Sequence, residues 1–357
     1  MPPLKGLILS GGKGTRLLPL TYSGAKQLVP LANKPVLFYV IEDLVAAGID
    51  DIGIVVGDTA DQIRGAVGDG ESFGCRVTYI RQDRPGGLAH AVKAARDFLG
   101  DSRFVMYLGD NFIEGGITRY VKEFHNSDAA AHLLLYHVPN PQDFGVASIE
   151  GDRIVALEEK PALPQSDLAL VGIYLFDKRI HQATDAIEPS GRGELEITDA
   201  ISWLLASNHD VRPHVLDGWW IDTGKMEDML NANRLVLQDI RRRIDGLVAE
   251  DCTLQGNVVV ERGARVVAST LRGPLIIGSG ATIENAYVGP FTAIGRECVI
   301  KDSEIEHTIV MERSRIVDVP YRIEDSLIGR EVTVARSPSK PKAYKMMLGD
   351  HSKVGIA

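Results

Sequence analysis

A glycine-rich turn directly after an apolar run is the first feature that could do chemistry. The run Leu7-Ile8-Leu9 is followed by Ser10-Gly11-Gly12-Lys13-Gly14-Thr15-Arg16. Glycines lack a Cβ, so a polyphosphate can approach several backbone N–H groups closely, and Arg16 adds a permanent positive charge. The spacing differs from the P-loop, which ends in Gly-Lys-Ser/Thr, and from the GxGxxG dinucleotide motif. An ordinary tight turn has the same appearance, so the phosphate interpretation needs other residues.

A lysine and two aspartates could complete a site for reacting phosphates. Lys26 lies in a segment held by Pro30 and apolar neighbours, which suits a fixed point charge. Asp110 follows the apolar run 104–108, and the carboxyl ends of parallel strands are where ligands bind. Asp222 lies in a second apolar segment, and two carboxylates suit a Mg²⁺ ion that bridges nucleotide phosphates. The alternatives are a solvated lysine and aspartates that cap helices or turns.

Two further short motifs could bind a sugar phosphate and a nucleobase. Glu159 precedes Lys160, so a carboxylate for sugar hydroxyls lies next to a cation for a phosphate. Gln82 and the turn that contains Gly87 offer an amide and exposed backbone groups for a base edge. Each element alone also fits an ordinary loop.

The elements that must position these residues follow an α/β pattern. Strand-like apolar runs alternate with amphipathic stretches from residue 4 to about 215, which predicts a mainly parallel sheet covered by helices. The predicted strands are 7–9, 52–56, 77–80 and 104–108, and the predicted helices cover 36–47, 60–67, 88–99 and 225–243. The three arginines 241–243 suit the negative end of the last helix.

The pattern changes after Gly246. Aliphatic residues then recur at intervals of five or six: Val248, Leu254, Val260, Val266, Leu271, Ile277, Ile283, Val288, Ile294, Ile300 and Ile305. This hexapeptide repeat predicts a parallel β-helix, in which one apolar residue per strand fills the interior. A sandwich would show alternating strands instead. The segment from Ala335 onward is interpreted as a tail or a closing cap.

Composition limits the function classes. The chain has 357 residues, 45% of them hydrophobic, and a formal net charge of −9, which predicts two domains and argues against nucleic acid as a partner. Cys75, Cys252 and Cys298 lie far apart, so we expect packing residues in a reducing compartment. No signal peptide or membrane span is visible, which favours the cytoplasm.

The motifs taken together resemble the sugar-phosphate nucleotidylyltransferase family. The matching segments are 11–16, 26–30, 68–70, 87–91, 109–111, 144–146, 159–161, 192–199 and 220–224. They are distributed over nearly the whole first two thirds of the chain. The appended hexapeptide repeat resembles the long form of such enzymes, which is frequent in antibiotic deoxysugar pathways. His90 stands where short forms usually have Gln, and Lys225 where they usually have Thr.

The resemblance implies a role for each matching residue. Leu9, Gly11, Gly12, Gly14, Thr15, Gln82, Gly87 and Asp110 would bind the nucleotide, with Gln82 and Gly87 at the base; Gly145, Glu159, Lys160, Val171 and Tyr174 would bind the sugar phosphate. Arg16, Lys26 and Lys160 would be the catalytic cations. Arg16 would hold the departing phosphates, and Asp110 and Asp222 would hold Mg²⁺.

The implied fold is a Rossmann-like nucleotidyltransferase domain over 1–243, followed by a left-handed parallel β-helix with a tail over 244–357. The implied reaction is nucleotidyl transfer from dTTP to glucose-1-phosphate, which gives dTDP-glucose and pyrophosphate. The implied assembly is a homo-oligomer without nucleic-acid or membrane partners. The alternatives are UTP-dependent UDP-glucose synthesis and a bifunctional enzyme with acetyltransferase activity. The latter needs a catalytic histidine in the repeat, where His307 is the candidate.

Overall fold

The computed structural model describes residues 3–12, 14–22, 24–338, 340 and 343–356. Lys13 of the glycine-rich turn therefore lies outside the described residues. The chain forms two compact units. The first contains residues 1–13, 24–28 and 36–222, and the second contains residues 14–23, 29–35 and 223–357.

The regular elements are as follows. The α-helices are α1 (Val36–Ala46), α2 (Ala60–Val67), α3 (Leu88–Ala94), α4 (Arg96–Leu99), α5 (Thr118–His125), α6 (Arg179–Ala186), α7 (Ile197–Ala206) and α8 (Met226–Gln238). Strands of the first two thirds are β1 (Lys5–Ser10), β2 (Pro30–Leu31), β3 (Lys34–Pro35), β4 (Asp51–Val56), β5 (Arg76–Arg81), β6 (Phe104–Leu108), β7 (Asn111–Ile113), β8 (Ala131–His137), β9 (Gly145–Glu150), β10 (Arg153–Glu159), β11 (Leu168–Phe176), β12 (Val211–Val215) and β13 (Trp220–Asp222).

The remaining strands are short. They are β14 (Arg243–Ile244), β15 (Leu247–Val248), β16 (Thr253–Gln255), β17 (Val258–Val260), β18 (Arg265–Val267), β19 (Thr270–Arg272), β20 (Leu275–Ile277), β21 (Thr282–Glu284), β22 (Tyr287–Val288), β23 (Thr292–Ile294), β24 (Val299–Lys301), β25 (Glu304–Ile305), β26 (Thr308–Val310), β27 (Arg315–Val317), β28 (Ser326–Ile328) and β29 (Thr333–Ala335). Single 3-10 turns occur at Thr15–Leu17, Leu20–Tyr22, Lys26–Leu28, Glu71–Phe73 and Pro141–Asp143.

The first unit is built on a mixed sheet with the order β10-β9-β11-β6-β1-β4-β5, to which β8 and β12 are joined through β11. Strands β6, β1, β4 and β5 run parallel. The chain builds from β1 outward through β4 to β5 and then returns to the other side of β1 with β6. Such a reversal of strand order opens a crevice at the carboxyl ends of β1 and β6, where ligands of open α/β sheets bind.

The α/β prediction is confirmed, and two helix predictions need correction. The four predicted strands correspond to β1, β4, β5 and β6. The helix predicted over 88–99 is divided at Ala95 into α3 and α4. The helix predicted to reach residue 243 ends at Gln238, because Arg243 and Ile244 pair with β17 as a strand. The three arginines therefore do not form the end of that helix.

The repeat forms the predicted parallel β-helix in the second unit. Its strands stack in three parallel sheets, and successive coils pair residues such as Val266 with Ile283 and Ile283 with Ile300. The predicted interior residues from Val260 to Ile305 are buried in one cluster, and Val248 and Leu254 pack against it half-buried. Each coil thus buries its interior aliphatic residues against the coils before and after it.

Helix α8 and the hairpin of β2 and β3 belong to the same unit. Asn233 of α8 is completely buried, accepts a hydrogen bond from the backbone N–H of Ala32 and donates one to the carbonyl of Phe291. Leu237 packs with Val259, Ile276 and Ala293 of the β-helix. The boundary at 243/244 stays a prediction from the sequence.

The tail differs from a closing coil. Residues 343–356 contain no strand or helix, and Met347 is 99% exposed. The cap predicted there is therefore not formed by this segment. Among the described residues, no helix combines the length and the apolar character that crossing a bilayer requires.

A chain of hydrogen-bonded polar groups, with the buried His132 at its centre, links β8 to β12 at the edge of the sheet. His132 is almost completely buried. Its Nδ1 lies 2.8 Å from Nε2 of His214, and its Nε2 lies 3.1 Å from the Ser127 hydroxyl. Burial, reinforced by His214, lowers the pKa of His132 to about 3. Arg212 and Arg103 lower this pKa further, and Asp210 opposes them.

We expect His132 to make stability depend on pH. An unfolded histidine has a pKa of about 6.5, so below that pH the unfolded state binds a proton that the folded state excludes. Stability should therefore fall as the pH drops from about 6.5 towards 3, by up to about 1.4 kcal/mol per pH unit from this residue. Urea unfolding at pH 7.0 and 5.5 should show a smaller difference in His132→Gln than in the wild type.

The exposed His125 in neighbouring α5 provides the control. His125→Gln should keep the wild-type difference between the two pH values. An equal difference in all three proteins would contradict the assignment to His132.

Candidate active site

Strand register brings the predicted nucleotide residues to one edge of the sheet. Ser10 is paired with Val56, and Val56 with Arg81, so Gly11 and Gln82 leave β1 and β5, the strands on either side of β4, at the same level. A Cβ at Gly11 would lie 3.3 Å from Gln82 Oε1. On the other side, the backbone N–H of Gly109 donates to the carbonyl of Leu9, which sets Asp110 beside the glycine-rich turn.

Lys26 lies between the two predicted metal-binding aspartates. Its Nζ is 2.5 Å from Asp110 Oδ2 and 3.6 Å from Asp222 Oδ1, so these two oxygens are no more than about 6 Å apart. The lysine side chain is 7% exposed. Burial alone would raise the pKa of Asp110, but the Lys26 ammonium outweighs burial and holds the pKa below its usual value. One lysine side chain thus lies between two carboxylates, and all three side chains are mostly shielded from solvent.

Two residues without an individually predicted role orient Asp110. Asn111 is buried, and its side-chain N–H donates to Asp110 Oδ1 at 2.9 Å. The Trp220 indole N–H donates to Asn111 Oδ1 at 2.7 Å. Asn111 is also paired with Asp222 across β7 and β13. Both residues lie in recognised motifs, which signalled the segment without revealing this contact.

Gln27 is a third residue without an individually predicted role. It is 2% exposed, and its Oε1 is buried without a hydrogen-bond partner among the described residues. Its Nε2 would lie 3.9 Å from a Cβ at Gly12. The buried Ser10 hydroxyl also lacks a partner in the described part of the chain. These two buried polar atoms beside the glycine-rich turn are therefore available to hydrogen-bond a ligand.

Gly87, one of the two predicted base-binding residues, is required by packing. Its φ is +95°, and a Cβ there would lie 2.4 Å from the carbonyl oxygen of Leu195. The backbone N–H of Ala89 donates to that carbonyl, and the N–H of Leu195 donates to the carbonyl of Gly86. The turn next to Gln82 is thus fixed against the segment 192–199.

The predicted sugar residues gather around Glu159. Glu159 Oε2 accepts a hydrogen bond from Thr198 at 3.3 Å, and a Cβ at Gly145 would lie 3.1 Å from the same oxygen. Arg192 lies 3.4 Å from Glu159 and 2.9 Å from Glu196. Burial and then Glu196 raise the pKa of Glu159, and Arg192 opposes them. Thr198 and Arg192 were part of a recognised motif but had no predicted role.

The other sugar residues differ in accessibility. Lys160 is exposed and has a φ of +45° immediately after β10. Val171 and Tyr174 lie in β11 and are 0% and 3% exposed. Burial raises the pKa of the Tyr174 hydroxyl, and the nearby Glu159 carboxylate adds to the effect. Their roles at a sugar stay predictions.

Gly14, Thr15 and Arg16 belong to the second unit. Gly14 has a φ of +63° and precedes the 3-10 turn that carries Thr15 and Arg16. The Arg16 guanidinium lies against Gly224, where a Cβ would come within 3.0 Å of Nη2. The predicted contacts of these residues with a nucleotide stay predictions.

The donor set around Asp110 fits a hard divalent cation with open coordination positions. Within the described part of the chain, no three or more His, Cys, Asp or Glu side chains are grouped as metal ligands. Two converging carboxylates match the mode in which Mg²⁺ keeps several waters and takes its other ligands from substrate phosphates. The two carboxylates would therefore fill only part of the coordination shell of such a cation.

Comparison with known proteins identifies the family. The nucleotidyl transferase family matches residues 5–239, which contain every segment described above. The chain belongs to the nucleotidyl transferase family. A glucose-1-phosphate thymidylyltransferase of Streptomyces griseus is 55% identical, with 99% of this chain and 100% of the relative covered. One of Streptomyces antibioticus is 54% identical, with 99% of each covered.

Solved structures of the family agree with the fold. A Bacillus anthracis protein described as a glucose-1-phosphate thymidylyltransferase matches with a TM-score of 0.63 and 38% identity, over 67% of this chain and 97% of that chain. The resemblance predicted from the motifs is confirmed by these comparisons. The roles of single site residues still rest on the geometry and on the resemblance.

We expect Lys26→Met to destabilise the protein. The substitution keeps the length of the side chain but leaves Asp110 and Asp222 without their shared cation, and breaking a buried ion pair costs about 3–5 kcal/mol. Urea unfolding at neutral pH measures this loss. Lys93→Met is the control, since its half-exposed pair with Asp185 should contribute less than about 1 kcal/mol. Equal losses in both variants would contradict the bridging role.

Proposed function

We propose that the protein transfers a thymidylyl group from dTTP to glucose-1-phosphate, with release of pyrophosphate. The observation that carries the proposal is the Lys26 ammonium between Asp110 and Asp222, set at the carboxyl ends of β1 and β6 beside the glycine-rich turn. The full-length similarity to thymidylyltransferases of two Streptomyces species supports the choice of substrates.

The reaction needs no protein nucleophile. A phosphate oxygen of glucose-1-phosphate attacks the α-phosphorus of dTTP, and the bond from that phosphorus to the α,β-bridging oxygen breaks. Catalysis is then positioning and charge neutralisation. When Asp110 and Asp222 bind a divalent cation, the Lys26 ammonium can donate to oxygens of the reacting phosphates. Asn111 and Trp220 hold Asp110 in the orientation that this requires.

We propose Mg²⁺ as the divalent cation. When bound, it would supply positive charge to the nucleotide phosphates and hold them in one geometry. Asp110 and Asp222 are the protein ligands in this proposal, and the remaining positions are left for water and phosphate. Arg16, which belongs to the second unit, keeps its predicted role at the departing phosphates.

The Glu159 cluster suits the sugar phosphate. The Glu159 carboxyl group can accept hydrogen bonds from sugar hydroxyls, and Arg192 opposes the rise of its pKa that burial and Glu196 cause. Exposed Lys160 next to it can bind the sugar's phosphate. The absence of a side chain at Gly145 allows Thr198 and the Glu159 carboxylate to approach the backbone of β9, since a Cβ there would lie 2.9 Å from Thr198 Cγ2 and 3.1 Å from Glu159 Oε2.

An additional acetyltransferase activity is not favoured by the geometry of His307. Its Nδ1 lies 2.5 Å from Asp325, an arrangement that could orient a general base. The other ring nitrogen, which would have to take the proton, is buried without a partner among the described residues. We therefore assign the β-helix a structural role within a homo-oligomer, with 1–243 as the catalytic domain. We place the reaction in the cytoplasm, at the start of a deoxysugar pathway such as those of antibiotic biosynthesis.

Substrate choice tests the proposal directly. A panel of nucleoside triphosphates is assayed with sugar-1-phosphates by pyrophosphate release. We expect the highest kcat/KM for dTTP with glucose-1-phosphate. UTP should also be used, but less well. Its uracil lacks the 5-methyl group and its ribose adds one hydroxyl, and a pocket distinguishes such small differences only modestly. A clear preference for UTP would replace the proposal with UDP-glucose synthesis.

Removal of either carboxylate tests the metal assignment. Asp110→Asn and Asp222→Asn should each lower kcat by at least about a hundredfold while circular dichroism stays unchanged. EDTA should abolish the wild-type reaction, and added Mg²⁺ should restore it. Asp217→Asn is the matched control in the segment before β13, since that side chain is 91% exposed. A near-normal rate in Asp222→Asn would remove this residue from the mechanism.

A further inference from the structure

His90 of α3 contacts the side chain of Gln82. The His90 side chain is 16% exposed, and its Nδ1 lies 3.0 Å from Gln82 Nε2. The ring packs against Gly86, where a Cβ would come within 2.8 Å of His90 Cγ. The absence of a side chain at Gly86 thus leaves the space that the imidazole occupies.

The partners of the amide determine which way it faces. Gln82 Nε2 donates to the carbonyl of Gly87 at 3.2 Å, and a carbonyl can only accept. The second N–H of this amide then faces His90 Nδ1, which must accept. The neutral tautomer with its proton on Nε2 meets this requirement, and His90 Nε2 lies 3.4 Å from the Asp83 carboxylate, which can accept that proton's hydrogen bond.

The arrangement leaves only an acceptor for a ligand. Both N–H groups of Gln82 are used, and its Oε1 has no hydrogen-bond partner among the described residues. Oε1 lies beside Gly11 at the start of the glycine-rich turn. If the amide turned over, Oε1 would face the Gly87 carbonyl and two acceptors would repel each other.

We infer that His90 is a positioning residue that fixes the Gln82 amide with Oε1 towards the nucleobase, so that the site selects bases which present an N–H donor there. The inference rests on the proposed function, in which Gln82 contacts the base. Thymine and uracil carry a hydrogen on N3, whereas N3 of cytosine is an acceptor. Gln82 held in this orientation therefore accepts from the imide bases and repels cytosine.

The test compares dTTP with dCTP in two His90 variants of the full-length protein. His90→Leu keeps the approximate volume and removes the acceptor, whereas His90→Asn places an amide oxygen near the position of Nδ1. We expect His90→Leu to lower the ratio of kcat/KM for dTTP to that for dCTP by about tenfold, the equivalent of one hydrogen bond to the base. The change should appear in the KM for dTTP, with the KM for glucose-1-phosphate unchanged.

His90→Asn should restore the ratio to within about threefold of the wild type. Lys93→Leu, on the same helix and without contact to Gln82, is the control for changes in α3 itself. An unchanged ratio in His90→Leu, or an Asn variant as unselective as the Leu variant, would overturn the inference. Failure of the proposed function has a different result, since the wild type would then either prefer UTP to dTTP or use neither with glucose-1-phosphate.

Discussion

The contact of Lys26 with Asp110 and Asp222 is the interaction on which the site depends. It joins three separate segments: the 3-10 turn at 26–28, the end of β6 and the end of β13. A buried lysine is costly unless it is paired, and two buried carboxylates are costly without a cation. The three charges therefore require one another. In the proposed function, these three side chains would also contact the divalent cation and the nucleoside triphosphate.

A second junction connects the turn at Gly87 to the cluster around Glu159, the segments that we propose for the base and the sugar. Gly87 lies directly against Leu195, and two backbone hydrogen bonds join the turn at 86–89 to this residue. Arg192 and Thr198, on either side of Leu195, contact Glu159. A change in the turn that carries Gly87 would therefore move the partners of the sugar carboxylate. In the proposed function, recognition of the two substrates would be coupled through the backbone of this short segment.

The β-helix follows a simpler rule than the α/β unit. Each of its coils pairs with the next in parallel register, so the aliphatic ladder stabilises it locally along the stack. The hydrogen bond from Asn233 to the carbonyl of Phe291 and the packing of Leu237 attach α8 to the β-helix. The sequence pattern of α8 alone is that of an ordinary amphipathic helix. The boundary predicted at 243/244 rests on the change in sequence pattern alone and takes no account of these tertiary contacts.

The local pattern of the sequence determined the strands, the repeat and the segments of the site. Apolar periodicity is a property of neighbouring residues, so β1, β4, β5, β6 and the ladder from Val260 to Ile305 were predictable without a structure. Glycine-rich and charged motifs likewise located Lys26, Asp110 and Asp222. The end of α8 was mispredicted, because pairing of Arg243 with Val259 is a contact between distant residues. Only the tertiary structure decided which polar atoms meet: Trp220 with Asn111, Arg192 with Glu159, and His90 with Gln82. These contacts depend on strand register and on side-chain direction, and neither is encoded in the spacing of any one motif.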